Sequence, residues 1–185
     1  YQAQYGRRFG SAAEYVAIDE SRAPRLHDNA SFEVGACMGI PAMTAHRCVF
    51  ADGDVAGQTI LVTGGAGRFG HYAIQWANQA GATVISSASN DDDRAACKEA
   101  GAAHEVNHRD DDFADQVLAA TGGALVDRFV DVEFGANLET SIAVLRLGGT
   151  IATYSSTQVT EPKLPFLKMM YKDITLHFVI VYAMP

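Results

Sequence analysis

One stretch of the chain decides the fold: Ile60-Leu61-Val62-Thr63-Gly64-Gly65-Ala66-Gly67-Arg68-Phe69-Gly70. It begins as a short apolar run, which is typical of a buried parallel strand, and the apolar residues after it recur at helical spacing. Gly65, Gly67 and Gly70 form a GxGxxG pattern between strand and helix, the setting in which that pattern binds the pyrophosphate of a dinucleotide. We expect Gly65 to permit the tight turn, Gly67 to let backbone amides approach the pyrophosphate, and Gly70 to let helix and strand pack closely. A glycine-rich turn without a ligand is the alternative.

Other phosphate-binding loops fit this stretch less well. A P-loop would end in Gly-Lys-Ser or Gly-Lys-Thr, and Arg68-Phe69-Gly70-His71 contains neither. Short-chain dehydrogenases also begin the loop with Thr-Gly, but they need a glycine where this chain has Arg68. That class pairs a tyrosine with a lysine four residues later, and no tyrosine of this chain is followed by such a lysine.

Beyond this stretch, strand and helix patterns alternate along the chain. Strands are predicted at residues 59–62, 83–85, 103–106, 126–132, 150–154 and 174–181, and helices at 31–50, 69–80, 90–100, 110–120, 137–147 and 165–171. This alternation implies right-handed crossovers, so the sequence predicts an α/β fold: a Rossmann-type, doubly wound parallel sheet of six strands. We assign residues 31–185 to this dinucleotide-binding domain. Residues 1–30, with a strand predicted at 14–18, stand apart from it.

Composition narrows the class of protein. The 185 residues are 48% hydrophobic and 19% charged, which is typical of a globular domain. A formal net charge of -8 argues against nucleic-acid binding, which needs a basic face, and no apolar run is long enough for a transmembrane helix. Cys37, Cys48 and Cys97 form neither a disulfide framework nor a CxxC pair. We therefore expect no metal site and a reducing, cytoplasmic setting.

The residues after the second predicted strand bear on the choice of dinucleotide. NAD sites place Asp or Glu about 20 residues beyond the fingerprint to bind the ribose diol, and Ala88 stands there in this chain. The missing carboxylate leaves room for a 2′-phosphate, with Ser89 and Asn90 as donors and Arg94 as the nearest cation. The run Asp91–Asp93 would repel that phosphate unless its side chains point outward. We predict NADPH as the cofactor in preference to NADH.

Several ordered blocks of the chain match those of one enzyme family. Gly10–Val16 resembles its G-S-x-A-E-Y-V strand, Met43-Thr44-Ala45 its T-A helix signature, and Gly64–Gly70 its G-A-x-G-G-V-G loop, with Gly65 and Arg68 as departures. Further similar blocks lie at residues 100–102, 106–109, 131–135 and 145–149. On these residues the chain resembles the medium-chain dehydrogenase/reductase superfamily, and within it the zinc-independent quinone oxidoreductases related to zeta-crystallin. The resemblance covers nearly the whole chain.

The resemblance implies where a dinucleotide binds, although it leaves the catalytic residues unassigned. It places Thr44 near the nicotinamide, Gly64, Gly65, Ala66, Gly67, Arg68, Phe69 and Gly70 at the pyrophosphate, and Ala88, Ser89, Asn90 and His108 around the adenosine ribose. Phe134, Gly135, Tyr154 and Ser155 follow the fourth and fifth predicted strands, where such sheets bind ligands. Arg68 contacts a phosphate or faces solvent, and both interpretations remain open. Asp93 stands where the family often has a lysine.

The resemblance also implies an activity and a larger protein. We expect transfer of hydride from NADPH to a quinone or an α,β-unsaturated carbonyl. The site is expected to lack zinc, because Ile40 occupies the place of the cysteine ligand in related alcohol dehydrogenases and Cys37 lies a turn earlier. The alternatives are a non-catalytic dinucleotide-binding module and an enoyl-thioester reductase. Residues 1–30 would be the remnant of a GroES-like catalytic lobe, so the chain would be a fragment, and strand 174–181 would join two copies in a homodimer.

Overall fold

The computed structural model describes residue 10 and residues 12–183 of the chain. Its six strands form one parallel sheet in the order β3-β2-β1-β4-β5-β6. The strands are β1 Thr59–Val62, β2 Thr83–Ser87, β3 His104–Val106, β4 Val126–Asp131, β5 Leu145–Thr153 and β6 Thr175–Phe178; the helices are α1 Phe32–Phe50, α2 Arg68–Gln79, α3 Asp91–Ala100, α4 Phe113–Ala120, α5 Phe134–Val144 and α6 Phe166–Tyr171. The order and the parallel pairing confirm the Rossmann-type α/β fold.

Two apolar layers enclose the sheet, one on each face. Ile60 and Val62 of β1 are fully buried on the face covered by α1 and α2, whereas Leu61 between them is buried with the residues of α4 and α5. Neighbouring side chains of a strand point to opposite faces, so a strand covered on both faces must be apolar throughout. This is why β1 reads as a continuous apolar run.

The order in which the chain adds strands to the sheet reverses at β1. From β1 the chain adds β2 and then β3 on one side, and β4, β5 and β6 on the other. The carboxyl ends of β1 and β4 therefore flank a crevice, which is where open α/β sheets bind ligands. The glycine-rich stretch begins immediately after β1, at the mouth of this crevice.

The boundaries of α5 and β5 differ from the prediction. The helix was expected at 137–147 and lies at Phe134–Val144, and β5 then begins at once instead of at residue 150. The pair Gly148-Gly149 predicted a helix end, but it lies inside β5, where the register between β4 and β5 shifts. Gly148 has a φ of +70° there, which glycine adopts readily. A bulge and a helix end use the same residue type, so the pattern alone does not separate them.

Three further expectations differ in detail. Within the helix predicted at 31–50, α1 bends at Gly39, two residues before Pro41, where the backbone leaves the helical conformation. Residues 14–18 form no strand, and a 3-10 turn follows at Glu20–Arg22. Strand β6 ends at Phe178 and not at residue 181, because the chain turns into a 3-10 helix at Val181–Ala183. None of the described helices is both long and apolar enough to cross a membrane.

Candidate functional site

The glycine loop makes its sharp turn one residue earlier than expected. Gly64 has a φ of +63° and provides the left-handed position, so the turn assigned to Gly65 belongs to Gly64. The Gly67 N–H donates to the Gly64 carbonyl at 3.0 Å, which closes the turn. Gly67 is also the N-cap of α2 and has no side chain to cap it, so the first N–H groups of the helix keep no side-chain partner at this end.

Two glycines of the loop are required by close packing. A Cβ on Gly65 would lie 1.8 Å from the Ser86 Oγ and 2.7 Å from the Cys97 Sγ. A Cβ on Gly70 would lie 2.2 Å from the Gly64 carbonyl oxygen, so Gly70 packs against the loop after β1, whereas close packing of helix and strand was expected. Gly65 is therefore a packing position against β2 and α3.

Polar side chains from neighbouring strands hold the loop in place. The Gly64 N–H donates to the Ser87 Oγ at 2.9 Å. The Thr63 hydroxyl donates to the Asp131 Oδ1 at 2.8 Å and accepts the Val132 N–H at 3.0 Å. The ends of β1, β2 and β4 are thereby joined around the loop. Sequence reasoning missed Thr63 and Ser87, whose signal is a hydroxyl residue directly at a strand end.

Asp131 is the most deeply buried acid of this region. Besides Thr63, the Asn137 side chain and the Glu133 N–H donate to its Oδ1, at 2.8 Å and 3.1 Å. Its Oδ2 is buried and accepts no hydrogen bond within the described residues. Burial raises the pKa of the Asp131 carboxyl, and the hydrogen bonds from Asn137, Glu133 and Thr63 oppose that rise. Through its hydrogen bond with Thr63, Asp131 holds the glycine loop in position.

A cavity of about 570 Å³ opens beside the glycine loop. Seven of the predicted site residues line it: Thr44, Gly64, Gly67, Arg68, Phe69, Gly70 and Tyr154. Ile40 and Pro41 of α1, Val132 and residues 179–182 also line it; residues 179–181 had been assigned to a strand and not to the site. The structure thus joins residues that lie up to about 140 positions apart in the sequence into one site, because β1, β5 and β6 end at the same edge of the sheet.

A second cavity of about 400 Å³ adjoins the first. Phe134 and Ser155 line it, and Tyr154 borders both cavities. The Tyr154 ring packs against the Phe69 ring with centroids 4.3 Å apart. Gly135 lies beneath the next loop, where its N–H donates to the Ser156 Oγ at 2.8 Å. These four predicted residues therefore lie together at the ends of β4 and β5.

The residues predicted around the adenosine ribose lie at the ends of β2 and β3, outside the lining of the first cavity. Ala88 is buried and its N–H donates to the Val106 carbonyl at 2.9 Å. Asn90 caps α3: its Oδ1 accepts the Asp93 N–H at 2.9 Å and its Nδ2 donates to the Asp93 carboxylate at 2.7 Å. Burial and the neighbouring Arg109 lower the pKa of His108, and Asp93 opposes this. Ser89 and Arg94 are half-buried here.

Within the described residues, no group of three or more His, Cys, Asp or Glu side chains could hold a metal ion. Ile40 lines the first cavity, and Cys37 is exposed one turn earlier on α1. Among the described residues, the first cavity offers backbone amides of the glycine loop, hydroxyl groups such as that of Thr44, and the Arg68 guanidinium. These groups fit a phosphorylated dinucleotide.

The family model described as zinc-binding dehydrogenase matches residues 69–185, more than half of the chain. The chain belongs to this family. It is 28% identical to the quinone oxidoreductases of Pongo abelii and Homo sapiens over 153 residues, which are 82% of this chain and 46% of each relative. The zinc-binding dehydrogenase match and these relatives confirm the resemblance to the medium-chain dehydrogenase/reductase superfamily and its quinone oxidoreductases.

Solved structures show the same fold. The crystal structure of an NAD-dependent alcohol dehydrogenase is 32% identical to this member of the zinc-binding dehydrogenase family, with a TM-score of 0.83 over 92% of this chain and 50% of that chain. A mycobacterial protein solved in complex with NADPH is 26% identical, with a TM-score of 0.78 over 85% of this chain and 50% of that chain. The chain spans about half the length of the relatives that it matches. The candidate site therefore lies in a domain of the same family and fold as these dehydrogenases and quinone oxidoreductases.

Proposed function

We propose that this chain is the nucleotide-binding part of an oxidoreductase in which hydride passes from NADPH to a quinone or an α,β-unsaturated carbonyl compound, without zinc. One observation carries the proposal: the glycine loop and the start of α2 line the first cavity with three residues that lack side chains, Gly64, Gly67 and Gly70, at the crevice between β1 and β4. The quinone oxidoreductase relatives support the class of acceptor. The isoleucine at position 40 supports a reaction without zinc.

In this proposal the residues of the chain bind and orient the dinucleotide. The pyrophosphate would accept hydrogen bonds from the first N–H groups of α2, where the helix dipole also favours negative charge. Thr44 would flank the nicotinamide from α1, and the packed rings of Phe69 and Tyr154 would exclude water from the cavity. When it is bound, the dinucleotide supplies the hydride.

Direct titration of the purified chain with NADPH tests the binding part of the proposal. Wild-type chain should bind, and Gly67→Val should weaken binding at least about tenfold, because a branched side chain would fill the approach to the amides of α2. Ala119→Val places the same side chain at an exposed position of α4 and should bind as the wild type does. Absence of NADPH and NADH binding to the wild-type chain would overturn the proposal.

The preference for NADPH rests on the adenosine end of the site. Ala88 offers no carboxylate to a ribose diol, and Ser89 and Arg94 lie near the same strand end. Asp93 opposes the preference, because it places a negative charge beside Asn90. We expect a lower dissociation constant for NADPH than for NADH in parallel titrations. The reverse order would overturn the NADPH assignment and leave the dinucleotide site in place.

The hydride acceptor is tested by offering different acceptors to the chain with NADPH bound. Oxidation of NADPH that depends on a quinone supports the proposed reaction. Turnover of crotonyl-CoA without turnover of a quinone would instead identify an enoyl-thioester reductase. Turnover of either acceptor by the chain would exclude a non-catalytic module.

We also propose an oligomeric state for this chain. Strand β6 is an edge of the sheet, and Phe178 and Ile180 are 63% and 56% exposed. Unpaired apolar edges favour pairing with a second chain, so we propose a homodimer through this strand.

We further propose that residues 1–30 are the last piece of a GroES-like catalytic lobe and that the protein works in the cytoplasm, where its three unpaired cysteines would remain reduced.

A further inference from the structure

The guanidinium of Arg68 lies at the start of a helix, where a positive charge lowers the stability of the folded chain. Arg68 is the first residue of α2, and the amino end of a helix carries a partial positive charge. The first turn of α2 contains no acid and Gly67 gives it no side-chain cap, whereas α3 has three aspartates in its first turn, the run Asp91–Asp93. The chain therefore adds a positive charge to the one glycine-capped helix start that lines the first cavity.

No acid of the described residues neutralises this cation. Arg68 is exposed, and its side chain has no ion pair and no hydrogen bond with any part of the chain that the structure describes. Arg128 and Arg146, in contrast, pair with Asp52 and Asp127. In a chain with a net charge of -8, an arginine left without an acid beside a cavity is available for an anion from outside.

The position of Arg68 selects which anion of a dinucleotide it meets. It lines the first cavity together with Gly64, Gly67 and Gly70, the residues of the phosphate-binding turn. Asn90 and the other residues of the adenosine end are not part of that lining. A guanidinium presents donors in a planar fork that matches two phosphate oxygens.

We infer that Arg68 is a side-chain clamp on the pyrophosphate, added to the backbone amides of α2, and that it sets the affinity for NADPH and NADH alike. The inference rests on the proposed function of the site. The clamp would hold the phosphate group that both dinucleotides share, so it would not discriminate between them. A bound pyrophosphate would also neutralise the charge that destabilises the start of α2 in the free chain.

Binding measurements on Arg68→Gln test the clamp. The dissociation constants of NADPH, NADH and ADP-ribose should all rise about 10- to 100-fold, whereas that of adenosine 2′-phosphate, which lacks the pyrophosphate, should stay within about twofold. Arg68→Lys keeps the positive charge but lacks the planar fork of donors. Its dissociation constants for the dinucleotides should lie between those of the wild type and those of Arg68→Gln. The melting temperature of ligand-free Arg68→Gln should equal or exceed that of the wild type, because an unfavourable charge is removed. Arg25→Gln, which removes the same charge from an exposed pair with Asp28, should change none of these values.

Each contrary result has a distinct meaning. Wild-type chain that binds no dinucleotide would overturn the proposed function, and the clamp with it. Unchanged affinity of Arg68→Gln, in a wild-type chain that does bind, would overturn the clamp alone. A loss confined to NADPH would assign Arg68 to the 2′-phosphate and overturn the inference. A loss accompanied by a lower melting temperature would indicate a structural role and overturn it as well.

Discussion

At the residue scale, the two packed glycines of the loop differ in what they touch. The contact facing Gly65 is the Ser86 hydroxyl, a removable group, whereas the contact facing Gly70 is a backbone carbonyl. We expect Gly65→Ala and Gly70→Ala each to lower the free energy of unfolding, by about 2 and about 3 kcal/mol, because both overpack a dense core. Urea unfolding followed by circular dichroism measures both.

A further substitution, Ser86→Ala, distinguishes the contact that faces Gly65 from the contact that faces Gly70. Added to Gly65→Ala, it should recover part of the loss, so that the double variant is less destabilised than the sum of the single variants. Added to Gly70→Ala, it should recover nothing, because Ser86 does not contact that position. Equal recovery in both backgrounds would contradict this explanation.

Asp131 should make stability depend on pH. Burial raises its pKa in the folded chain above the ordinary value of about 3.9, so the folded chain holds the proton more tightly than the unfolded chain. The contribution of Asp131 to the free energy of unfolding is therefore greatest below that ordinary value and decreases as the pH rises through the folded pKa. Asp131→Asn lacks this contribution. The stability of the wild type minus that of Asp131→Asn should fall as the pH rises from about 4.

Urea unfolding of both variants over this pH range provides the test. Asp115 is exposed on α4, so Asp115→Asn serves as a control with the same chemical change. A difference between wild type and Asp131→Asn that does not vary with pH would show that Asp131 has no raised pKa.

The residue pattern predicted the place of the loop but not its internal geometry. GxGxxG between a strand and a helix is a local signal, and the cavity lies where it indicates. The left-handed turn lies at Gly64 and not at Gly65, because either of these two consecutive glycines could provide it. The contacts of Thr63 with Asp131 could not be predicted, since the two residues are 68 positions apart and meet only through the strand order.

At the element scale, Glu133 ties the start of α5 to the segment that follows β5. Its carboxylate accepts the Thr157 N–H at 2.9 Å, the Thr157 hydroxyl at 2.6 Å and the Gln158 N–H at 2.9 Å. This segment covers Gly135 and leads from Tyr154 into the wall of the second cavity. Glu133 therefore fixes the position of a loop that has no regular structure of its own.

Removal of this charge should loosen the segment. We expect Glu133→Gln to accelerate amide hydrogen exchange at Thr157 and Gln158, because the amide group replaces one acceptor oxygen by a donor. Glu139→Gln makes the same change at an exposed position of the same helix and should leave both rates unchanged. Unchanged exchange in Glu133→Gln would mean that other contacts hold the segment.

Element types were predictable and element ends were not. Each of the six strands and six helices of the sheet domain overlaps the element predicted for it. Errors occur where a residue serves two structures, as Gly148 does in the bulge of β5, or where a strand needs a neighbour, as residues 14–18 do. A strand forms only beside a partner, and the local sequence does not contain that information.

At the scale of the whole molecule, the edge strand β6 is the place to test assembly. The Phe178 ring is 63% exposed, and a charge there should prevent an apolar contact between two chains. We expect light scattering to give a dimer for the wild type and a monomer for Phe178→Lys. Because Phe178 also packs edge-on against Phe134, with centroids 5.3 Å apart, the variant should lose about 1 kcal/mol of stability as well.

A lysine elsewhere on the surface controls for charge. Leu125 is 39% exposed in the loop before β4, and Leu125→Lys should remain dimeric. A wild-type chain that is monomeric at the same concentration would contradict assembly through β6.

The bond between Thr63 and Asp131 joins residues 68 positions apart, which leads to a prediction about the order of events in folding. Strands β1, β2 and β3 follow one another closely and can pair early, and together they already contain the whole glycine loop. Thr63 then still lacks its acceptor, which arrives only when β4 docks beside β1, and contacts between distant residues form slowly. During refolding, helix content should therefore return before the chain regains its affinity for a dinucleotide.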